Sequence, residues 1–391
     1  MRGEETTTHP SLDSLGLQTT ENKIPQVQKW WTRQESAVRK ATMKRNVKTK
    51  AVGVRQRRPT MKDVAGLAGV GLATVSRVVN ETGEVSDERT KLVQNAIREL
   101  GFQPDDVARS LRPGQVSRII GLKVGDLTNP FWSHLCKGAI EAAEEASYAI
   151  ILGSSDEDPE VERRTIRDLL ARRVAGLVVA PDASGSIGLM EENRYPSVPV
   201  VFVDRPSRDM DGDYAVLDNF GGGRLATSSL IDAGHDRIGI VVAPSYYATG
   251  LRLRGYRRAL ESAGLPVDEH NVLRLHEGSS EEARRAILNR MAAPNPPTSF
   301  FCTTNFMTKG AIQALGPDLS GLALVGFDDF DYAEQLPIPI SVVADDPQEL
   351  GRRAIAMLLA RIDGSEEPPR REVLPVTLID RASGRIPPKA D

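Results

Sequence analysis

The chain has 391 residues, of which 40% are hydrophobic and 26% charged, a composition typical of a globular protein with two or three domains. No apolar run reaches the roughly 18 residues that a membrane span requires. The polar start MRGEETTTHP lacks the apolar segment of a signal peptide, which favours a cytoplasmic protein. Cys136 and Cys302 lie in apolar segments without metal-ligand spacing, which predicts buried free thiols and no metal site.

Charge is distributed unevenly along the chain. Residues 1–58 carry 13 Lys and Arg against 5 Asp and Glu, although the whole chain has a net charge of −3. The body of the chain is therefore acidic, and any contact with nucleic acid is expected near the N-terminus. Residues 1–58 have no sustained hydrophobic period and are predicted to be disordered. They are either a basic arm that attracts phosphate, a solvated tail, or the result of a start placed too far upstream.

A helix-turn-helix pattern begins at Thr60. Thr60 is predicted to cap the helix MKDVAGLA, Gly69-Val70-Gly71 to form a tight turn, and LATVSRVVN to form a second helix. Ala65, Val75 and Val78 are small or branched residues that suit a close helix crossing. The side chains that this second helix is expected to present outward are Leu72, Ala73, Thr74, Ser76 and Arg77. Short side chains at its N-terminal end would let the helix enter a major groove.

Two further helices are predicted after the second. One runs from the N-cap Ser86 to the stop at Gly101, and its apolar positions are expected to face a small core. Those positions are Leu92, Ala96, Ile97 and Leu100. The segment PDDVARSLRPG is predicted to form another short helix that ends at Pro113-Gly114.

Strands and helices alternate from Ile119 onward. The predicted strands are IIGLKV, YAIILGS, AGLVVAP, PVVFVD, RIGIVVAP, SFFCTT and LALVGFD, separated by helical patterns such as WSHLCKGAIEAAEEA and EEARRAILNRM. This alternation predicts an α/β fold with parallel sheets covered on both faces. Its length favours two lobes with a ligand cleft at the carboxyl ends of the strands. The end RASGRIPPKAD is expected to be disordered, and the lack of a leucine heptad favours a dimer over a tetramer.

An ordered series of segments across residues 59–391 resembles the LacI/GalR family of bacterial repressors. The resemblance is carried by MKDVAGLAGVGLATVSRVVN, VSDERTKLVQNAIRELGFQPDDVARSLR, NPFW, LDNFGGGRLAT, GHDRIGIV, LRLRGYRRAL and LVGFDD. It implies a DNA-binding headpiece over 59–103, a hinge helix over 104–116, a two-lobed core like that of periplasmic binding proteins over 117–386, and a tail at 387–391. It also implies a homodimer on a pseudo-palindromic operator, with a sugar-like small molecule as effector and no cofactor.

The resemblance also implies which residues contact DNA. They are Thr60, Leu72, Ala73, Thr74, Ser76, Arg77, Asn80, Ala108 and Leu111. Leu72 and Ala73 are the base-reading positions, and the apolar Leu72 stands where many family members carry a polar group. Leu111 either wedges into a central minor-groove step or packs against the core, and the small Ala108 would let two hinge helices approach.

Effector contacts are implied at Phe131, Trp132, Tyr246, Arg252 and Asn305, with Asp328 or Asp329 near the crossovers between lobes. Aromatic rings opposite a guanidinium suit a hydroxylated ring, but Phe131 and Trp132 could equally belong to the core. Asn305 stands where sugar- and purine-binding members often have an aspartate. This departure predicts a less basic or more anionic effector, such as a sugar acid or a sugar phosphate.

Three competing interpretations stay open from the sequence. A transport-associated binding protein would share the core, but the headpiece and the missing signal peptide argue against it. An enzyme on a doubly wound fold would need a nucleophile elbow, a metal cluster or paired carboxylates, none of which the sequence indicates. A regulator that has lost its ligand is the third. His235 is expected to stabilise a turn, and the glycines of FGGGRLAT are expected to permit close helix packing rather than to bind phosphate.

Overall fold

The computed structural model describes residues 59–80, 82–102, 117–182 and 198–389. The chain divides into two compact units, one within residues 1–104 and one within residues 105–391. The expected basic extension and the expected hinge helix, with Ala108 and Leu111, lie outside the described residues.

The N-terminal unit consists of three helices around a small apolar core. They are α1 Met61–Ala68, α2 Leu72–Asn80 and α3 Asp87–Leu100. At the start of α1, the Asp63 carboxylate accepts hydrogen bonds from the backbone N and Oγ1 of Thr60, at 2.7 and 2.6 Å. Gly69 and Gly101 end α1 and α3 in the left-handed conformation, with φ of 64° and 61°, which glycine adopts without a Cβ penalty.

The core of this unit confirms the predicted crossing of α1 and α2 and corrects one residue of α3. Val64, Val75 and Val93 are fully buried at the centre. Leu92 was expected to face this core, and that prediction is wrong, because Leu92 is 45% exposed. The buried stripe of α3 follows Val93 and Ala96, and Leu92 lies beside that stripe on the solvent side.

The C-terminal unit alternates strands and helices as predicted. In chain order its elements are β1 Ile119–Val124, α4 Pro130–Glu145, β2 Ala149–Ser154, α5 Pro159–Ala171, β3 Gly176–Val179, β4 Val200–Val203, β5 Asp213–Leu217, α6 Asn219–Asp232, β6 Ile238–Val242, α7 Tyr247–Ser262, β7 Val272–Arg274, α8 Ser280–Met291, β8 Ser299–Cys302, α9 Asn305–Leu315, β9 Ala323–Phe327, β10 Ser341–Ala344, α10 Pro347–Ile362, β11 Arg371–Leu374 and β12 Thr377–Ile379.

These strands form two six-stranded sheets, one in each lobe. The first has the order β11-β5-β4-β3-β1-β2 and the second the order β12-β10-β9-β8-β6-β7. Neighbouring strands are parallel, as predicted, except that the edge strand β12 runs antiparallel to β10. The described chain crosses between the lobes at residues 217–219, 344–347 and 374–377, where consecutive elements belong to different sheets. These three segments are the crossovers.

Three helices of this unit begin at an Asn-Pro or Asp-Pro pair. The side chain of Asn129 accepts a hydrogen bond from the backbone of Phe131 in α4, and Asp158 and Asp346 cap α5 and α10 in the same manner. The cap side chain satisfies a free backbone N–H, and the proline that follows has no N–H to satisfy. The start of α4 is thereby fixed at the carboxyl end of β1.

Helices α6 and α7 approach each other backbone to backbone. A Cβ on Gly223 would collide with the backbone carbonyl of Arg252, and one on Gly255 would collide with the carbonyl of Phe220. The predicted packing role of the glycines in FGGGRLAT is thus confirmed. The close approach brings Arg252 of α7 next to Asn219, the first residue of α6.

The C-terminal segment packs on the second lobe, so the expectation that RASGRIPPKAD is disordered is wrong for residues 381–389. Ser383 is fully buried, and its Oγ donates to the carbonyl of Leu324 at 2.6 Å. The ring nitrogens of His235 lie 2.8 Å from Thr298 Oγ1 and 2.9 Å from the carbonyl of Ile386. Burial lowers the pKa of His235, so a neutral ring ties this segment to the lobe. The role of His235 is structural, but its ring holds two distant segments together rather than the turn that was expected.

Both cysteines are buried free thiols, as predicted. Burial raises the pKa of the Cys136 thiol to about 11, so the unreactive protonated form persists at neutral pH. Within the described ranges, none of the helices combines the length and apolar character that crossing a membrane would take.

Lys123 of β1 and Glu162 of α5 form a buried ion pair, with side chains 0% and 1% exposed. The Nζ of Lys123 also donates to the carbonyl of Ala180 at 2.6 Å. Burial lowers the pKa of Lys123 and raises the pKa of Glu162 to about 7, in each case against the attraction of the partner charge. Burial therefore opposes the charged form of both side chains, and each depends on the other to stay ionised.

We expect Lys123→Met to lower the free energy of unfolding by about 3–5 kcal/mol, because it leaves a buried carboxylate without its cation. The double variant Lys123→Met/Glu162→Leu should recover most of this loss, since no buried charge remains. Urea denaturation followed by circular dichroism measures both. Arg258→Met, which breaks the exposed pair with Glu261, is the control and should change stability little. A double variant as unstable as the single one would contradict the interpretation.

Candidate functional site

Helix α2 exposes the N-terminal residues that were expected to read DNA. Leu72, Ala73 and Arg77 are exposed, Thr74 and Ser76 are half-buried, and Val75 packs into the core. The carbonyl of Gly71 accepts hydrogen bonds from the backbones of Thr74 and Val75, at 2.9 and 3.2 Å, and so starts the helix. The exposed face thus combines an apolar tip, two hydroxyls and a guanidinium, which are the groups that read base edges and phosphates.

The other expected DNA contacts are placed differently. The side-chain amide of Asn80 turns back along α2 and donates to the carbonyl and Oγ of Ser76, at 2.7 and 3.1 Å. Thr60 lies at the start of α1, where its hydroxyl is bonded to Asp63. Thr60 and Asn80 therefore hold the ends of the two helices.

A cleft of about 680 Å³ lies between the two lobes of the C-terminal unit, at the carboxyl ends of the strands. Four of the predicted effector contacts line it: Phe131, Trp132, Tyr246 and Arg252. The rings of Phe131 and Trp132 pack edge to face, with centroids 5.0 Å apart, and both residues are more than nine-tenths buried. They therefore belong to the core of the first lobe and to the wall of the cleft at once.

A second cavity of about 350 Å³ adjoins the cleft and shares Phe131 and Asp328 with it. The other two predicted effector contacts, Asn305 and Asp329, line this cavity rather than the cleft. Asp345, which lies on the second crossover, lines it as well. We call this space, lined by Asn305, Asp328, Asp329, Asp345 and their neighbours, the hinge cavity.

Arg252 is held rigidly at the floor of the cleft. Its Nε donates to Asn219 Oδ1 at 2.8 Å and its Nη1 donates to the carbonyl of Thr303 at 2.6 Å. Asp328 Oδ1 lies 3.6 Å from Nη1, and the guanidinium stacks on the ring of Phe327 at 3.3 Å. These bonds connect α7, the first crossover and the ends of β8 and β9 at one point.

A second cleft arginine, Arg205, was missed by sequence reasoning. It forms a bidentate ion pair with Glu157, at 3.0 Å for each bond, and its Nε contacts Asp204 at 3.1 Å. Burial alone would lower the pKa of Arg205, but these two carboxylates raise it. The guanidinium carbon of Arg205 is 5.8 Å from the ring centroid of Tyr246 in the other lobe. Arg205 of the first lobe and Tyr246 of the second therefore face each other across the cleft.

Asn305 makes a contact between the lobes that its sequence context did not indicate. Its Nδ2 donates to Oδ1 of Asn129 at 2.9 Å, which joins the first turn of α9 in the second lobe to the N-cap of α4 in the first. Oδ1 of Asn129 also accepts from the backbone of Phe131 at 3.1 Å. A ligand that entered here would compete with this hydrogen bond.

Acidic residues directly after predicted strands are the feature of the sequence from which more of the site could have been predicted. Asp156, Glu157, Asp204 and Asp328 follow β2, β4 and β9, and all four have positive φ, between 49° and 68°. Such strained backbone at non-glycine residues is concentrated at binding sites. Asp329, by contrast, forms a bidentate pair with Arg381, at 2.9 Å for each bond. Of the two adjacent aspartates, Asp328 is therefore the one that reaches the cleft.

Two carboxylates at the hinge cavity resist ionisation. Burial and the neighbouring Asp328 raise the pKa of Asp345 to about 8, and burial raises the pKa of Asp328 despite the nearby Arg252. Across the described part of the chain, no three His, Cys, Asp or Glu side chains are grouped so as to hold a metal ion.

A helix-turn-helix unit with an exposed second helix, in one chain with a two-lobed cleft of ligand size, defines the class of effector-responsive DNA-binding regulators. Comparison with known proteins agrees with this class. Residues 60–105 match the family model of bacterial regulatory proteins of the lacI family, and residues 227–384 match a periplasmic binding protein-like domain.

Individual relatives match over most of both chains. The ribose operon repressor of Escherichia coli K12 is 35% identical over 331 residues, which are 83% of this chain and 99% of the relative. Among solved structures, the complex of the transcriptional regulator CelR with cellobiose is 30% identical, with a TM-score of 0.62 over 83% of this chain and 100% of the other. The lac repressor dimer bound to operator and the anti-inducer ONPF is 25% identical, with a TM-score of 0.73 over 84% and 99%.

The chain belongs to the lacI family of bacterial transcriptional regulators. Membership confirms the predicted fold class, with its DNA-binding headpiece and two-lobed core, and it excludes the transport protein and the enzyme as interpretations.

We expect the ligand-free protein to lose stability as the pH rises from 5 to 9. Asp345 has a folded pKa of about 8, above the roughly 3.9 of an unfolded aspartate. The stability that the protonated Asp345 contributes to the fold is therefore fully present below the unfolded pKa and is lost as the pH rises through the folded pKa of about 8. The free energy of unfolding then falls by up to about 1.4 kcal/mol per pH unit. Thermal unfolding at a series of pH values measures this.

Asp345→Asn should flatten the pH dependence of the melting temperature, and the exposed Asp331→Asn should leave it unchanged. Glu162, with a pKa of about 7, and Asp328, whose pKa burial raises, contribute in the same direction, whereas His235, whose pKa burial lowers, contributes in the opposite one. The difference between the wild-type and Asp345→Asn curves is therefore the informative quantity. A constant difference from pH 5 to pH 9 would show that Asp345 is ionised throughout this range.

Proposed function

We propose that this protein is a transcriptional repressor that binds a pseudo-palindromic operator as a homodimer, and that a sugar-like effector in the cleft changes its affinity for that operator. The observation that carries the proposal is the pairing, within one chain, of the exposed N-terminal half of α2 with the cleft of about 680 Å³. Such a regulator acts on DNA in the cytoplasm, and we therefore propose that this protein is cytoplasmic.

The DNA contacts that we propose lie on α2. Leu72 and Ala73 would make apolar contacts with base edges, such as the methyl group of thymine, and Arg77 would pair with guanine or clamp a phosphate. Thr74 and Ser76 would bond phosphate or base edges. We also propose that Leu111 wedges into the central step and that Ala108 lets two hinge helices approach.

The effector contacts that we propose are Phe131, Trp132, Tyr246 and Arg252 in the cleft, with Asn305 and Asp328 at the hinge. The relatives named for ribose and cellobiose support a small sugar or a sugar derivative as the class of effector. Aromatic faces and fixed polar groups suit such a ring. We propose no direct effector contact for Asp329, because both of its carboxylate oxygens accept hydrogen bonds from Arg381.

The proposed mechanism is thermodynamic coupling between the two sites. A ligand that inserts near Asn305 and Asn129 alters the polar contact between the lobes and hence the angle that the crossovers adopt. If the operator binds one arrangement better, the effector must change operator affinity by the same factor as the operator changes effector affinity.

Selection of bound sequences from random duplex DNA by the purified full-length protein tests the proposal. We expect a pseudo-palindrome with a flexible pyrimidine–purine step at its centre. Selections with and without added cell metabolites distinguish a regulator that needs a corepressor from one that does not. If neither selection enriches a sequence while the protein is a folded dimer, the proposed function is wrong.

Arg77→Ala should weaken binding to the selected operator by about 1–3 kcal/mol, because it removes a bidentate base contact or a phosphate clamp. Arg98→Ala is the matched control, since it removes the same charge from an exposed position of α3. Fluorescence anisotropy with labelled operator measures both variants at several salt concentrations. Equal losses in the two variants would mean that Arg77 contributes only general electrostatic attraction.

A further inference from the structure

We propose that this protein recognises a cationic effector, a hydroxylated ligand whose ammonium group is bound at the hinge cavity by Asn305, Asp328 and Asp345. The inference rests on the proposed function and specifies the charge of the effector. It replaces the expectation of a sugar acid or a sugar phosphate, which was drawn from Asn305 alone.

The first support is the charge of the cleft. Among the described residues that line it, six are carboxylates, namely Asp126, Asp156, Glu157, Asp204, Glu277 and Asp328, whereas the cations are Arg205 and Arg252. The hinge cavity adds Asp331, the carboxylates of Asp329 and Glu334 that pair with Arg381, and Asp345, whose raised pKa leaves it largely uncharged at neutral pH. A concave site with this excess of negative charge attracts cations and repels phosphates and carboxylates.

The second support is that both cleft arginines are already engaged. Arg205 uses its fork on Glu157 and its Nε on Asp204. Arg252 donates to Asn219 and to the carbonyl of Thr303, beside Asp328. An anionic ligand would compete with these buried acceptors for the guanidinium donors and would be repelled by the carboxylates of Glu157, Asp204 and Asp328 beside them.

The third support is a set of buried acceptors without donors at the hinge cavity. Oδ1 of Asn305 and Oδ2 of Asp345 are buried and accept no hydrogen bond, whereas Oδ1 of Asp328 lies 3.6 Å from Nη1 of Arg252. Asn305 is only 8% exposed. Buried polar atoms are normally paired, so two such oxygens beside Asp328 on one cavity indicate a ligand that brings donors.

An ammonium group matches these acceptors better than a hydroxyl group does. It carries three N–H donors and a positive charge, whereas a hydroxyl offers one donor and no charge. The positive charge would also favour the ionised forms of Asp328 and Asp345, which burial disfavours, so that binding should release a proton from the pair. Phe131 lines both spaces and so places an aromatic ring beside the same cation.

The test compares amines with matched neutral ligands on the full-length protein. Thermal unfolding is measured with glucosamine against glucose, galactosamine against galactose, mannosamine against mannose, and putrescine against 1,4-butanediol, and glucose 6-phosphate serves as the anionic probe. We expect amines to raise the melting temperature more than their partners do and the phosphate to have no effect. Calorimetric titration of the best amine near pH 6, where the amine is itself protonated, in buffers of different ionisation enthalpy should show proton release from the protein.

Two variants test whether the amine binds at the hinge cavity. Asp345→Asn should weaken binding of the best amine by about 10-fold or more, the factor expected for the loss of a charge-assisted hydrogen bond. Asp331→Asn removes the same charge from the exposed rim of the hinge cavity and should change the affinity little. Proton release by the wild-type protein gives a readout that does not depend on how well either variant folds.

The proposal is overturned if no amine stabilises the protein more than its neutral partner, if the phosphate binds more tightly than the amines, or if binding releases no proton. These outcomes are separate from the fate of the proposed function. A protein that selects an operator but shows no preference for amines refutes the cationic effector alone, whereas one that binds amines but selects no operator refutes the proposed function.

Discussion

The buried guanidinium of Arg252 is the constraint on which the floor of the cleft depends. A guanidinium removed from water needs nearly all of its donors satisfied, and here Asn219, the carbonyl of Thr303 and the carboxylate of Asp328 surround it. These partners come from the first crossover and from the carboxyl ends of β8 and β9. Arg252 can reach them only because Gly223 lets the backbones of α6 and α7 touch. A packing requirement within one lobe thereby fixes the chemistry of the site.

The two lobes have separate apolar cores, and polar contacts reach across the cleft between them. One is the hydrogen bond from Asn305 to Asn129, and another is the approach of Arg205 to the ring of Tyr246. Contacts of this kind are worth far less than a core, so the lobes can change their angle without unfolding. The crossovers carry such a change along the chain. The acidic hinge residue Asp345 lies on one of them, and its protonation is therefore sensitive to whatever occupies the site.

Sequence reasoning found the aromatic wall and Arg252 but missed much of the polar lining. Phe131, Trp132 and Arg252 were recognised because each belongs to a motif with family-like neighbours, and Tyr246 precedes the motif that holds Arg252. Arg205, Glu157 and Asp345 lie far apart along the chain, and only the meeting of their strand ends brings their charges together. Asn305 was recognised as a site residue, but its hydrogen bond to Asn129 spans the lobes and could not be inferred from its neighbours. The prediction of an anionic effector arose from this one residue considered alone.

The sequence by itself determined the start of α1, the glycine that ends α3, the turn between α1 and α2, and the long apolar strands such as β1, β6 and β9, because each depends on side chains within a few residues of one another. Ser86 begins α3, but its side chain makes no capping hydrogen bond. Only the tertiary structure decided where the short strands pair. The strands β11 and β12 are separated by two residues, yet one joins the first sheet in parallel and the other joins the second sheet antiparallel. The charge balance of the cleft was decided in the same way. Strand pairing and charge proximity depend on contacts between distant segments, and no local pattern encodes the distance between two residues that meet only when the sheets have formed.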